Sequence, residues 1–429
     1  MERVSVSQFR ETALGLVEPI SAVEEVTLAS CLGRVAADDV TAAVPLPPFV
    51  RSAVDGYALR AADRSEPLLV MGKVAAGHPA REPLKPGCAY EITTGAPVPE
   101  GADAVALVEE SHRDGDRVSI DEAVVPGSHI SPVGEDFCLG QVLVRQGDRL
   151  SNVAVAALAS QGRSSVRVYR RPRVAIVSTG DELTALGKTL AYGRVYDVNG
   201  AVLEALVTAE GAAPLSLGVL PDRYEAVRDG LSAIARRPDW DLLITSGGTG
   251  ASVPLFQGHD VTAMHDLIPY VVGELGELRH HGIRMVPGRP TALGILGGRP
   301  VIQLPGWPYA VLIHFELMAA PVIRKMARLP DKKRPTTVAR LGRTIEVDPG
   351  FTRVVQVRVE QGPDGPEALP LMPPPPPSAS RMMTQMLSAD GFIMLSDEGG
   401  DGLVVPQGAD VTVWLEPMRY GGEDTAGGF

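Results

Sequence analysis

Residues 172–183 read PRVAIVSTGDEL, an unbroken apolar run followed at once by hydroxyls, a glycine and two carboxylates. A short apolar run bounded by turn residues suits a strand buried on both faces. The pattern returns at LSLGVL (215–220), WDLLITSGG (240–248), TALGIL (291–296) and PVIQLPG (300–306). Stretches of helical periodicity lie between and after them, at 198–210, 224–237, 260–275 and 309–327. Alternating strands and helices at this spacing predict a parallel sheet with helices on both faces, an α/β domain over 169–330.

Working outward, Val6, Phe9, Ala13, Leu14 and Val17 fall at helical spacing over 5–16, with Ser5 or Ser7 able to cap. From about 42 to 140 the chain reads as short Val-rich strands broken by Gly and Pro, a β-rich insertion. Helical periodicity returns at 151–161, where Ser151 caps and Gly162 ends the run. DKKRP near 331 marks a linker, and 332–418 reads as a small barrel or sandwich. That region holds the stiff connection PLMPPPPPSAS (370–380), and 419–429 reads as a disordered tail.

The chain has 429 residues, too many for one ordinary core, so two to four domains are expected. A net charge of −12 disfavours a general nucleic-acid or anionic-membrane binder, since both need a basic surface. Cys31, Cys88 and Cys138 are scattered, which suggests neither a zinc site nor a disulfide framework and reads as buried thiols in a reducing compartment. The N-terminus lacks the pattern of a signal peptide, and no run reaches the ~18 apolar residues of a membrane span. A cytoplasmic location is the expectation.

Ligands of open parallel sheets bind beyond the carboxyl ends of the strands. Ser178, Thr179, Gly180, Asp181 and Glu182 follow one strand, Asp222 another, and Ser246, Gly247, Gly248, Thr249 and Gly250 a third. Glycines there let successive N–H groups approach a phosphate; the alternative is a plain turn. Glu182 and Asp222 could hold a hard cation or serve as helix caps. Asp197 and Asn199 are either caps or crevice residues. Arg289 beside a late strand suits an oxyanion, and Pro305 and Pro308 frame a rigid turn. His280 and His281 read as surface residues of a polar loop.

The segments DGYA (55–58), TTGAPVPEGADAV (93–105), PRVAIVSTGDEL (172–183), VYDVN (195–199), SGG (246–248), PGRP (287–290) and PGWP (305–308) resemble the motifs of the molybdopterin molybdenumtransferase family. Its bacterial members are called MoeA and its animal counterpart is the gephyrin E domain. The resemblance covers about residues 1 to 418. It implies an elongated domain from 1–41 and 141–168, interrupted by the insertion at 42–140, then the α/β domain at 169–330 and a β-barrel at 332–418. It further implies a homodimer, with each active site in a cleft between one subunit's α/β domain and parts of the other.

The implied reaction takes adenylylated molybdopterin and molybdate with Mg2+, inserts the metal, and releases AMP. By motif, Asp55 and Thr94 are the insertion's contributors. Ser178, Glu182 and Asp222 line the cleft, Ser246, Gly247 and Gly248 form the phosphate cradle, and Arg289 stands where the family has lysine. Pro305 and Pro308 match the family's second turn, and Arg353 and Ser380 the barrel positions. Mg2+ would sit on Glu182 and Asp222. Four positions depart from the pattern: Leu255 replaces an acid, Val286 a lysine, Trp307 an asparagine and Arg381 a glycine. The competing readings are a repurposed paralogue acting on another nucleotide-linked or phosphorylated substrate, and a non-catalytic scaffold. Partners implied are a second copy, the pterin nucleotide and molybdenum-cofactor pathway enzymes.

Overall fold

The computed structural model describes residues 3–63, 66–248, 266–363, 365–371, 386–397 and 399–415. Thr249, Leu255, the start of the helix expected from 260, the proline run, Ser380, Arg381 and the tail lie outside the described residues. The chain divides into two compact units, 1–22 with 169–429 and 23–168.

In the first unit the strands are β1 (Arg173–Thr179), β2 (Ala213–Leu220), β3 (Leu242–Ser246), β4 (Glu277–His281), β5 (Ala292–Leu296) and β6 (Arg299–Leu304). They form one sheet in the order β2-β1-β3-β6-β5-β4. The first four in that order run parallel, as the sequence predicts. β5 and β4 instead run antiparallel to their neighbours. For β5 and β6 the reason is the Gly297–Gly298 turn: two residues can close a hairpin but cannot make a parallel crossover.

Side chains of β1 alternate between two cores, which is why its run is apolar throughout. Val174 and Ile176 face one cluster with Leu203, Leu242 and Ile244; Ala175 and Val177 face another with Val227, Leu231 and Leu243. The first face is covered by α1 (Val6–Gly15), α2 (Val198–Ala209), α5 (Pro308–His314) and α6 (Ala320–Met326), the second by α3 (Tyr224–Arg236) and α4 (Leu267–Leu275). The result is three layers. Ser5 caps α1 in a reciprocal box: its hydroxyl accepts the Gln8 amide while the Gln8 side chain accepts the Ser5 amide. A π-helical segment, Phe315–Ala319, joins α5 to α6 and keeps Phe315 and Met318 buried. Residues 3–22, which the sequence groups with 141–168, cluster here with the α/β unit, because Phe9 and Ala13 enter its core.

Beyond the linker, β7 (Thr336–Leu341), β8 (Thr352–Gly362), β9 (Gly365–Pro370), β10 (Gly391–Ser396) and β11 (Asp410–Leu415) close into a barrel in the order β8-β9-β7-β11-β10-β8. Closure removes open edges. The short strand Met285–Val286 adds to it in parallel, Val286 opposite Arg353.

In the second unit, Gly56–Leu59 lies inside a six-stranded sheet, hydrogen-bonded to Cys88–Ile92 and Ala104–Leu107. A Cβ at Gly56 would overlap the Ala106 carbonyl, so only glycine fits. The same unit carries the helix Asn152–Ser160, capped by Ser151 as expected. Cys31 and Cys88 are buried; Cys138, expected to be buried too, is exposed.

Candidate active site

Four strand ends build the site: β1 ends at Thr179, β2 at Leu220, β3 at Ser246 and β6 at Leu304. β1 has β2 on one side and β3 on the other, so the winding direction reverses there. Crevices form at such reversals.

Hydrogen bonds fix the turns to one another. Buried Ser178 donates through Oγ to Asp197 Oδ1 at 2.8 Å, and that oxygen also accepts the Gly200 amide at 2.9 Å, capping α2. Asp197 is therefore both a cap and a crevice residue. The Asn199 side-chain amide donates to Ser246 Oγ at 2.8 Å and to the Gly306 carbonyl at 2.7 Å. Ser246 Oγ in turn donates to the Pro305 carbonyl at 3.1 Å. Asn199 Oδ1 is buried and finds no partner among the described residues. Gln303 supports the cradle by donating to the Gly247 carbonyl at 3.4 Å.

Gly247 and Gly248 have φ of +91° and +62°. A Cβ on Gly247 would overlap the Thr179 carbonyl, and one on Gly248 would lie 2.7 Å from Thr179 Oγ1. Conformation and close approach both demand glycine here. Pro305 is buried, and Pro308 opens α5 where a missing N–H costs nothing. Trp307 between them is 58% exposed.

The carboxylates gather on one side. Asp222 has its pKa raised, first by burial and then by the charges of Glu182 and Asp181. Asp181 also accepts the Asp222 amide at 3.3 Å, a role the motif reading missed. Gly180 leaves room for Glu182, whose Oε2 would lie 2.7 Å from any Cβ there. Among the described residues no three His, Cys, Asp or Glu side chains converge closely enough to hold a metal by themselves. Mg2+ needs less: it binds through one or two carboxylates and completes its shell with water and substrate phosphates. Two carboxylates that repel one another at a strand end fit that demand.

Arg289 sits in a loop gripped from both ends. Val286 is paired to β8, and the Pro287 carbonyl lies 2.9 Å from Nε2 of His314. His314 is fully buried, and its Nδ1 lies 2.6 Å from Thr291 Oγ1. Burial pushes its pKa down to about 4, against the opposing bond to Pro287. The ring is neutral at pH 7, with its proton on the nitrogen that faces the carbonyl. Gly288, at φ +101°, passes so close that a Cβ would overlap the imidazole. Nothing in a helical His followed by Phe signals this role. The Arg289 guanidinium pairs with Asp348 at 3.0 Å and lies 4.9 Å from the Phe351 ring centroid. Arg353 donates to the Glu346 carbonyl at 2.7 Å.

Asp55 and Thr94 belong to the other unit, and they meet: the Thr94 amide and hydroxyl donate to Asp55 Oδ1 at 2.6 and 2.9 Å. The Thr94 bonds, the amide first, hold the Asp55 pKa below its usual value. His280 and His281, expected in a surface loop, lie in edge strand β4. His280 Nε2 is 2.9 Å from Thr12 Oγ1, and His281 Nε2 is 3.2 Å from Asp266. The sheet recruits them as partners for α1 and for the start of α4.

Comparison with known proteins agrees with the resemblance in the motifs. The family described as MoeA N-terminal region (domain I and II) matches residues 4–162, and the probable molybdopterin binding domain matches 175–325. The molybdopterin molybdenumtransferase of Haemophilus influenzae is 30% identical over 426 residues, 97% of this chain and 99% of that protein. Molybdopterin molybdenumtransferase 2 of Mycobacterium tuberculosis is 34% identical over 320 residues, 72% of this chain and 76% of that one. The crystal structure of the molybdopterin biosynthesis MoeA protein from Pyrococcus horikoshii superposes with a TM-score of 0.76 at 32% identity, covering 96% of this chain and 99% of the other.

Proposed function

The chain belongs to the molybdopterin molybdenumtransferase (MoeA) family, and from that premise we infer that it acts in molybdenum cofactor biosynthesis, inserting molybdate into adenylylated molybdopterin with release of AMP. The observation that carries this reading is the bridged crevice at the strand reversal, where Asn199 ties the Ser246–Gly248 turn to the Pro305–Gly306 turn beside the acids Glu182 and Asp222.

The residues divide the task by their chemistry. The glycine turn 246–248 lies at the end of β3 with φ values open to close backbone approach, and it receives the substrate's phosphates. Glu182 and Asp222 would hold Mg2+, which neutralises charge as the phosphoanhydride is cleaved. Asp181 keeps the Asp222 backbone in place. Arg289 exchanges Asp348 for an oxyanion, molybdate or phosphate, since its planar fork suits either. By their motifs, Asp55 and Thr94 are assigned substrate contacts. The Asp197 cap holds Ser178 at the β1 end. Arg353 is the barrel's contribution, and Thr249 and Ser380 complete the set by motif.

A homodimer suits the surface beside the crevice. Leu186, Leu190, Tyr192, Val195 and Tyr196 are all exposed on the loop between β1 and α2, an apolar group of the kind that marks protein contacts. No described helix is long and apolar enough to cross a membrane, and a cytoplasmic location remains the proposal.

Single-turnover incubation with adenylylated molybdopterin, Mg2+ and molybdate tests the reading. Release of AMP together with active cofactor is expected. Absence of AMP beside an active family member would overturn it and point to another phosphorylated substrate in the same crevice.

A further inference from the structure

Gln303 is a polar side chain in an apolar strand. Its neighbours on β6, Ile302 and Leu304, are buried in one core of the sheet, and Val301 is buried in the other. Gln303 itself is 2% exposed. Its Oε1 is buried without a partner among the described residues, and so is Oγ1 of Thr245, the residue opposite it on β3. A buried amide left half satisfied is costly, so its retention calls for an explanation.

The satisfied half supplies one. A carbonyl only accepts, so it is the amide nitrogen of Gln303 that meets the Gly247 carbonyl, at 3.4 Å. That carbonyl receives no other hydrogen bond among the described residues. The peptide it belongs to joins two glycines, both at positive φ. Glycine is at ease on either side of zero φ, so local preference does not decide which way this peptide faces. A contact from outside the turn must decide it.

A trans peptide carries its C=O and its N–H on opposite edges. With the Gly247 carbonyl held towards β6, the Gly248 N–H is turned away from β6, to the side of β3 on which β1 ends. Gly248 is half-buried, and its N–H donates to nothing among the described residues. Asn199 holds the preceding residue, Ser246, from the other face of the sheet. The turn is therefore clamped from both faces.

We propose that Gln303 is a positioning residue for the reaction of the crevice: by fixing the plane of the Gly247–Gly248 peptide it aims the Gly248 N–H at a substrate phosphate. The inference rests on the reading that this turn receives the substrate's phosphates. An anion on the N–H polarises the peptide and strengthens its carbonyl as an acceptor, so the 3.4 Å bond shortens on binding.

Gln303→Leu is the test, because it keeps the bulk while removing the donor and the unpartnered oxygen together. Its thermal midpoint is expected within about 4 °C of the parent. AMP release is followed in single turnovers of adenylylated molybdopterin with Mg2+ and molybdate, over a range of enzyme concentrations in excess of substrate. The limiting rate constant falls by about tenfold or more, as for a donor no longer aimed at the reacting group. The half-saturating enzyme concentration changes by less than about threefold, since the other contacts of the turn remain. A folding defect gives the opposite split, a normal limiting rate reached only at higher total enzyme. In the crystal structure of the variant, the Gly247 carbonyl no longer faces β6. Gln303→Met, unbranched like glutamine, is expected to behave as Gln303→Leu does and guards against misfolding of that variant. The inference alone is overturned if the parent is active and the limiting rate of either folded variant is unchanged, if the peptide keeps its orientation without Gln303, or if neither variant folds. A parent that releases no AMP overturns the reading of the crevice, and this inference with it.

Discussion

His314 Nε2 and the Pro287 carbonyl oxygen lie 2.9 Å apart, so a buried ring on α5 supports the loop that presents Arg289. His314→Ala removes that support and leaves a carbonyl without its donor. Stability should fall by about 2 to 4 kcal/mol in urea unfolding. AMP release by the folded fraction should fall about tenfold through displacement of the loop. Unchanged turnover at full folding would separate Arg289 from this support.

The same residue makes stability depend on acidity. Its pKa is about 4 in the folded chain and about 6.5 when unfolded. Between those values the unfolded chain binds the extra proton, so stability is full above 6.5 and is lost as pH falls towards 4. The loss amounts to about 3 kcal/mol over the window. His280, also depressed by burial, acts in the same direction. The informative comparison is therefore between wild type and His314→Gln, whose unfolding free energy should change less between pH 7.5 and 4.5.

Asp222→Asn takes one charge out of a group of mutually repelling carboxylates. The thermal midpoint should stay or rise, while Mg2+-dependent AMP release drops by at least about tenfold. A variant that loses stability and keeps its Mg2+ dependence would show that Asp222 is a structural residue.

Trp307 is exposed and contributes little to the core. Trp307→Ala should leave unfolding within about 0.5 kcal/mol of wild type. If the indole stacks on the substrate's ring systems, the variant raises KM by about three- to tenfold. Wild-type fluorescence should then be quenched when adenylylated molybdopterin binds, and the variant should lose that part of the signal.

Features set by neighbouring residues were legible in the sequence. The Ser151 cap, a serine cap on α1 at Ser5 or Ser7, the two-sided burial of β1 and the glycine turn at 246–248 all follow from local pattern; the structure has each, with Ser5 as the first cap. Features set by distant residues were not. Asn199 reaches Ser246 and Gly306 across 47 and 107 positions, and no spacing rule connects them. His314 looks like an ordinary helical residue until Pro287 and Thr291 are folded against it. The paired histidines of β4 were misread because a polar edge strand and a polar loop have the same composition. The antiparallel strands β5 and β4 were hidden in a two-glycine turn whose meaning depends on which strands it joins.

α1 packs into a core that includes members from the far end of the α/β unit. Phe9 shares its cluster with Phe315 and Val322, and Lys325 donates to the Leu14 carbonyl across 311 positions. A ribosome adds roughly 5 to 20 residues per second, so the first helix waits roughly 15 to 60 s for its partners. The unit of 23–168 can complete itself during that interval, since both its ends are already made. Synthesis thus leaves an amphipathic segment uncovered while a finished body forms behind it, and that delay is the period in which a nascent-chain chaperone would have most to hold.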